Sequence, residues 1–368
     1  MKTSQLPEKH EPFTDKYFLR SKEILQKDNI NPIVRYRVFA RKAGNFDRDE
    51  SIEIIEKYSG LSNKQGHVYA LPNGRNKPLD TLMLIEGRVQ DLIELETMYL
   101  GVISAELTNK EIDMKKVKKN AERIVEEANV PVIYFGARHF HYSLDPEISR
   151  ICLEAGMKDS STDIGAANIG KKGAGTIPHA LVLTYGSTVK AAKAFDKYIP
   201  KEIPRVVLID TYNKEIDDSV ATAKALGNLA AVRVDTCGEN YSQDYDSVDL
   251  TELKGLEKYV DGKGVTIKGV WALRRALDKY PDVGIFVSSG FNAEKTKAFT
   301  EASKIYEQKY GKKLFTGIGT GSIEDVVMAT SDIVAKFDEE TGLWVPCSKV
   351  GREYKTYKKD TRNLEKVF

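Results

Sequence analysis

The chain has 368 residues, 41% of them apolar, 9% aromatic and 30% charged, and its 56 basic and 54 acidic side chains leave a net charge of only +2. That apolar content suffices for a large core and excludes a disordered chain, and the length predicts about two domains. The balanced charge excludes a nucleic-acid partner bound by bulk charge, and no apolar run approaches the ~18 residues of a membrane span. Residues 1–15 are polar and lack the apolar stretch of a secretion signal. Cys152, Cys237 and Cys347 lie far apart and form no CxxC pair, which predicts neither a disulfide framework nor a zinc knuckle. The expectation is a soluble cytoplasmic protein.

In chain order, residues 1–130 read as an α+β domain. Strand-like composition covers 33–40, 67–71 and 81–86, separated by turns such as Pro72-Asn73-Gly74. From Val89 to Ser104 apolar residues recur at helical spacing, and a second helix is predicted over 114–128. Residues 131–335 change rhythm. Short apolar runs at 132–135, 206–209, 230–234, 283–287 and 314–315 (leading into Gly317) alternate with helical patterns at 188–198, 216–226, 266–280, 292–309 and 322–329. This alternation predicts a parallel sheet, doubly wound or closed into a barrel. Residues 336–368 return to alternating strands and are expected to pack back on the first domain.

Chemistry in a parallel α/β unit gathers at the carboxyl ends of the strands. The residues there are Gly136-Ala137-Arg138-His139, Asp210-Thr211, Arg233 with Asp235, Ser288-Ser289-Gly290, and Gly317-Ile318-Gly319-Thr320-Gly321-Ser322. The last two, each followed by a helical pattern, predict a phosphate cradle from Ser289, Gly290, Gly317, Gly319 and Thr320, because helix-terminal N–H groups point at an anion and glycine lets the backbone approach. Asp210 and Asp235 end adjacent strands. Paired carboxylates there suit Mg²⁺, ribose hydroxyls or a developing positive charge, or each caps the next helix. His139 and His141 face one way at strand spacing, as metal ligands do, but no third ligand is evident. Cys237 has no partner base and reads as a structural thiol. A glycine-rich stretch, Lys172 to Thr176, leads to His179.

Taken in order, Thr14-Asp15-Lys16-Tyr17, Leu84-Ile85-Glu86-Gly87, Leu95-Glu96-Thr97, Phe135-Gly136-Ala137-Arg138, Gly175-Thr176-Ile177-Pro178-His179, Asp210-Thr211-Tyr212, Arg233-Val234-Asp235, Ser289-Gly290 and Gly317-Ile318-Gly319-Thr320 resemble the motifs of the nicotinate phosphoribosyltransferase family of type II phosphoribosyltransferases, in the spelling of its archaeal-type members. Arg88 stands where the family has proline. The resemblance implies an α/β fold, an irregular β/α barrel with an N-terminal α+β domain completed by the C-terminal strands, in a homodimer whose active sites span two subunits. It implies the transfer of the phosphoribosyl group of phosphoribosyl pyrophosphate to nicotinate, within NAD biosynthesis, with Mg²⁺. Nicotinamide- and quinolinate-using relatives, or a catalytically silent nucleotide-binding one, are the alternatives.

By the same resemblance, Arg233 holds the nicotinate carboxylate beside Thr176, Phe135 stacks on the pyridine ring opposite Tyr17 of a second subunit, and Arg138 meets pyrophosphate. Asp210 and Asp235 serve ribose and magnesium. His179 is either the histidine that ATP-using relatives phosphorylate or a hydrogen-bonding group near pyrophosphate. Ser161 occupies the position that selects the ring substituent and favours nicotinate, since a hydroxyl donates to a carboxylate; Asp163 in that place would favour nicotinamide.

Overall fold

β-branched and aromatic residues at alternate positions fit a pleated, half-buried surface, and they form Ile33–Ala40 (β1). In this computed structural model, which describes residues 5–251, 253–355 and 362–368, β1 is followed by Asn45–Phe46 (β2), His67–Ala70 (β3), Gly74–Arg75 (β4) and Thr81–Arg88 (β5). The helical pattern from Val89 is broken in two, Val89–Leu92 and Glu96–Thr108. Glu94 lies at the break: its carbonyl accepts from Thr14 Oγ1 at 3.0 Å and its carboxylate pairs with Lys22 at 2.5 Å. The second helix is buried without interruption from Glu96 to Ser104, the signature of a helix enclosed on all sides. Met114–Glu127, capped by Asp113, is the amphipathic helix its sequence predicts.

The apolar runs after Pro131 become Val132–Tyr134 (β6), Asp159–Ser160 (β7), Arg205–Leu208 (β8), Leu229–Val234 (β9), Gly284–Val287 (β10) and Gly317–Thr320 (β11). All their ladders are parallel, in the order β7-β6-β11-β10-β9-β8. Among the described residues no ladder joins β7 to β8, so the sheet is an open half-barrel. Thr188–Tyr198, Glu215–Ala225, Ile267–Ala276 and Ala293–Tyr310 are its main connecting helices.

Two expectations are corrected here. Gly317–Thr320 is itself a buried strand, not a turn after one, and no helix forms over 322–329. Instead Val327 N donates to Thr108 Oγ1 and Ala329 N to Ser104 Oγ, at 2.9 and 3.0 Å. The chain is thereby tied to the buried helix and led straight into Ala329–Asp338 (β12). With Leu343–Pro346 (β13) and Glu365–Lys366 (β14), β12 completes an antiparallel sheet in the order β13-β12-β1-β5-β3-β14. The apolar core is continuous from this sheet to the half-barrel. Among the described residues no helix is long and apolar enough to cross a membrane.

Helix Glu96–Thr108 meets the turn after β6 at Gly101, where a Cβ would stand 2.4 Å from the Phe140 carbonyl oxygen. Gly101→Ala is therefore expected to cost about 1–3 kcal/mol of stability by overpacking, seen as a lower midpoint in thermal denaturation followed by circular dichroism. An unchanged midpoint would mean that the helix and the turn are not in close contact.

Candidate active site

The strand-end residues converge on a cavity of about 370 Å³ whose lining includes Tyr17, Phe135, Arg138, His179, Arg233 and Asp235. Arg233, on β9, is only 5% exposed, so its charge and hydrogens must be matched internally. Nε donates to Ser288 Oγ at 3.0 Å, Nη1 to Thr176 Oγ1 at 3.2 Å and Nη2 to Asp235 Oδ2 at 3.3 Å. Ser288 Oγ in turn donates to Asp235 Oδ1 at 3.0 Å. Burial would raise the Asp235 carboxyl, but the Arg233 guanidinium and the Lys349 ammonium hold it well below the usual carboxylate range. The Phe135 ring centroid lies 5.2 Å from the guanidinium carbon. That ring covers Gly319, where a Cβ would stand 2.5 Å from it.

Beside Arg233, Ser289 and Gly290 both take left-handed backbone (φ +80° and +70°) and line the cavity. They feed the helix Ala293–Tyr310, so its N-terminal end and its Lys295 face this turn. Lys295 Nζ donates to Ser289 O at 3.0 Å, and burial lowers its ammonium to about 8. Gly319 and Thr320 also line the cavity, but the Thr320 hydroxyl is committed to Phe291 O at 2.6 Å. Gly317 is set back under the Phe286 ring and does not line the cavity, which corrects its place in the expected cradle. The glycines of 172–176 serve packing: a Cβ at Gly175 would meet Tyr17 N at 2.8 Å, and one at Gly173 would meet Ser161 O at 2.6 Å.

The two aspartates are not equivalent. The Asp235 side chain is 27% exposed, toward the cavity, whereas that of Asp210 is wholly buried. Lys349 Nζ lies 2.6 Å from Asp210 Oδ2, and Asp210 does not line the cavity. His179 Nδ1 is 2.9 Å from Thr211 Oγ1 and its Nε2 is 3.0 Å from Lys349 Nζ. Burial first, then Lys349, lower its pKa below the ordinary histidine value. Among the described residues no group of three His, Cys, Asp or Glu side chains could hold a metal ion. The Asp210–Asp235 pair does not fit the expected magnesium site, because an ammonium already pairs with one carboxylate.

Tyr17 was expected from a second subunit but lines this chain's own cavity. Lys16 N donates to Ser161 O at 2.7 Å and Asp15 forms a β-bridge with Thr162, fixing the start of the helix Lys16–Lys27 there. The Arg138 guanidinium, 5.7 Å from the Tyr17 ring centroid, pairs with Asp15 at 3.2 Å and Glu96 at 3.0 Å. Burial pushes Glu96 up to about 8 although Arg138 opposes it.

No family model matches the chain. Among solved structures it is similar to the nicotinate-nucleotide pyrophosphorylase of Pyrococcus furiosus, with 30% identity over 94% of this chain and 81% of that one and a TM-score of 0.44. It is similar in fold to the nicotinate phosphoribosyltransferase of Porphyromonas gingivalis (TM-score 0.62, 15% identity, 92% and 94% covered). The nicotinate phosphoribosyltransferase of Vibrio cholerae gives 0.59, 13% identity, and 93% and 91% covered. The chain belongs to the type II phosphoribosyltransferase family.

In this type II phosphoribosyltransferase Ser161 and Asp163 stand outside the cavity, and His139 and His141 are not the ligand pair expected. Ser161 does not line the cavity; its hydroxyl is buried and has no hydrogen-bond partner among the described residues. Asp163 is bound to Lys16 Nζ at 2.6 Å and Gly173 N at 2.8 Å, and does not line the cavity either. His139 and His141 do not share a face, because residues 137–139 form a 3-10 turn rather than a strand. His139 Nδ1 meets Gly321 O at 3.1 Å, and His141 Nε2 meets Glu50 at 3.0 Å. Cys237 is a free, buried thiol whose Sγ donates to Val350 O at 3.7 Å. Lys295 and Lys349 lay outside every motif and become legible only through contacts distant in sequence.

The Lys295 ammonium is largely intact at pH 7 and is lost as the pH rises through about 8. Sulfate, whose charge is constant over this range, is therefore expected to bind the Ser289–Gly290 turn more weakly at pH 9 than at pH 7 in calorimetric titrations. Lys295→Met should bind it weakly at both. A wild-type affinity unchanged between the two would remove Lys295 from the anion site.

Proposed function

We propose that this chain transfers the phosphoribosyl group of phosphoribosyl pyrophosphate to nicotinate, forming nicotinate mononucleotide and pyrophosphate in pyridine nucleotide synthesis. The observation that carries the proposal is the hydrogen-bond inventory of Arg233. A guanidinium has five N–H donors, and its three protein partners leave one on each terminal nitrogen. Two parallel donors match the two oxygens of a carboxylate, and the Phe135 face offers a wall for the ring that bears it. The nicotinate phosphoribosyltransferases that share the fold agree with this acceptor. A carboxamide would use the same fork less well, and Asp163, committed to Lys16, is not placed to receive it.

Around that acceptor the remaining residues take consistent roles. The Ser289–Gly290 turn, the following helix terminus and Lys295 receive the 5′-phosphate. Arg138 faces the pyrophosphate. Loss of pyrophosphate from the anomeric carbon develops oxocarbenium character, and Asp235, ionised and open to the cavity, is the carboxylate that opposes that charge. His179 serves as a neutral hydrogen-bonding group; its Nε2 lone pair is engaged by Lys349, and phosphorylation by ATP at that nitrogen would first require Lys349 to withdraw.

Pyrophosphate release with nicotinate, nicotinamide or quinolinate, each with and without ATP, tests the proposal, and turnover is expected with nicotinate alone. Arg233→Ala should cost about 2–4 kcal/mol of carboxylate binding, raising the nicotinate KM while leaving the affinity for phosphoribosyl pyrophosphate nearly intact; equal loss of both would end the assignment. Because Tyr17 and Arg233 line the same cavity within one chain, mixing Tyr17→Ala and Arg233→Ala chains should recover no activity. Recovery would place Tyr17 in a partner's site.

A further inference from the structure

Lys349 lies in the loop after β13, three residues beyond Pro346, and its side chain is only 1% exposed. Its ammonium has three contacts within hydrogen-bonding distance: Asp210 Oδ2 at 2.6 Å, the Asp235 backbone oxygen at 2.9 Å and His179 Nε2 at 3.0 Å. We propose that Lys349 is the resident cation of this site, holding the place of a divalent metal beside Asp210 and locking His179 as the tautomer protonated on Nδ1. This goes beyond the reaction proposed above and does not depend on which acceptor the enzyme uses.

The tautomer follows from the donors. An ammonium can only donate, so His179 Nε2 accepts, the ring proton sits on Nδ1, and that proton is given to Thr211 Oγ1 at 2.9 Å. The charge follows from burial. The fully enclosed Asp210 carboxylate has two basic side chains within 4 Å among the described residues, Lys349 and, through Nε2 at 3.8 Å, His179. The histidine nitrogen carries a lone pair rather than a proton, so Lys349 alone compensates the carboxylate.

The backbone holds the ammonium in place from both sides. Val350 N donates to Thr211 O at 3.0 Å, Asn240 Nδ2 donates to Val350 O at 2.7 Å, and Arg352 Nη1 reaches both Asp332 oxygens at 3.0 and 3.1 Å. Thr211 thus receives the strap on its carbonyl and the histidine on its hydroxyl. Lys349 is therefore a positioning residue for His179 and Asp210, supplied by the C-terminal segment to the half-barrel.

Two measurements test this on the full-length protein. In ¹⁵N NMR of histidine-labelled wild type, with His179 assigned through His179→Gln, the ring is expected protonated on Nδ1 and bare on Nε2. In Lys349→Met, a proton on Nε2 is expected instead, facing the two carboxylates. In electron paramagnetic resonance titrations with Mn²⁺ alone, wild type should show no site that depends on Asp210, whereas Lys349→Met should gain one that Asp210→Asn removes. Should Lys349→Met fail to fold, the wild-type spectra still decide. A wild-type His179 protonated on Nε2, or wild-type Mn²⁺ binding abolished by Asp210→Asn, would overturn the proposal.

Discussion

Arg233 carries its charge at the end of a buried strand, and a guanidinium withdrawn from water is tolerable only when both its charge and its hydrogens are answered. Thr176 answers from the glycine-rich loop, Ser288 from the end of β10, and Asp235 from two residues further along the same chain. Each partner then needs its own support. Lys349 sits on the Asp235 backbone and also pairs with Asp210, so the row Arg233, Asp235, Lys349, Asp210 alternates in sign and closes with no net charge around a neutral His179. Removing any one member would leave a buried neighbour uncompensated, which binds the half-barrel and the C-terminal segment into one electrostatic unit.

The helix Glu96–Thr108 is the mechanical counterpart of that row. It is buried all round and touches both the antiparallel sheet, through β12, and the turn that follows β6. Glu96 at its first turn receives Arg138, and its Ser104 and Thr108 hydroxyls capture the backbone that leads out of β11. Close approaches at Gly101, Gly319 and Gly321 let backbone or ring lie where a Cβ would otherwise stand. Positions of Phe135 and Arg138 therefore depend on packing more than 30 residues away in sequence.

Much of this was legible in the sequence where local pattern and tertiary role agree. The runs 132–135, 206–209, 230–234 and 283–287 are buried parallel strands because continuous apolar residues suit a sheet covered on both faces. The residues after 132–135, 230–234 and 283–287 line the cavity because the strands are parallel, whereas Asp210, after 206–209, is sealed behind it. Legibility failed where one residue type serves two purposes. Glycines at 317 and 319 look like a phosphate turn, yet they sit in a strand so that the rings of Phe286 and Phe135 can lie across it. His139 and His141 look like a ligand pair only if their segment is extended, and it is a 3-10 turn. Lys349 is one lysine among many, and its role depends on a contact 139 residues from Asp210 that no local pattern encodes.

Asp210 and Asp235 show how far environment, rather than residue type, assigns chemistry. Both follow an apolar strand in neighbouring positions of the same sheet, and both read alike in the sequence. Asp235 keeps a face toward the cavity, and the guanidinium beside it holds it ionised, so in the proposed transfer its charge is available to the positive character that develops at the anomeric carbon. Asp210 is sealed behind it, and its charge is used inward, to hold the ammonium that in turn orients His179. Of the two aspartates only Asp235 faces the cavity, which Arg138 and Arg233 also line, and it is backed by a second carboxylate that does not reach it. That asymmetry suits the proposed reaction, whose acceptor is itself an anion.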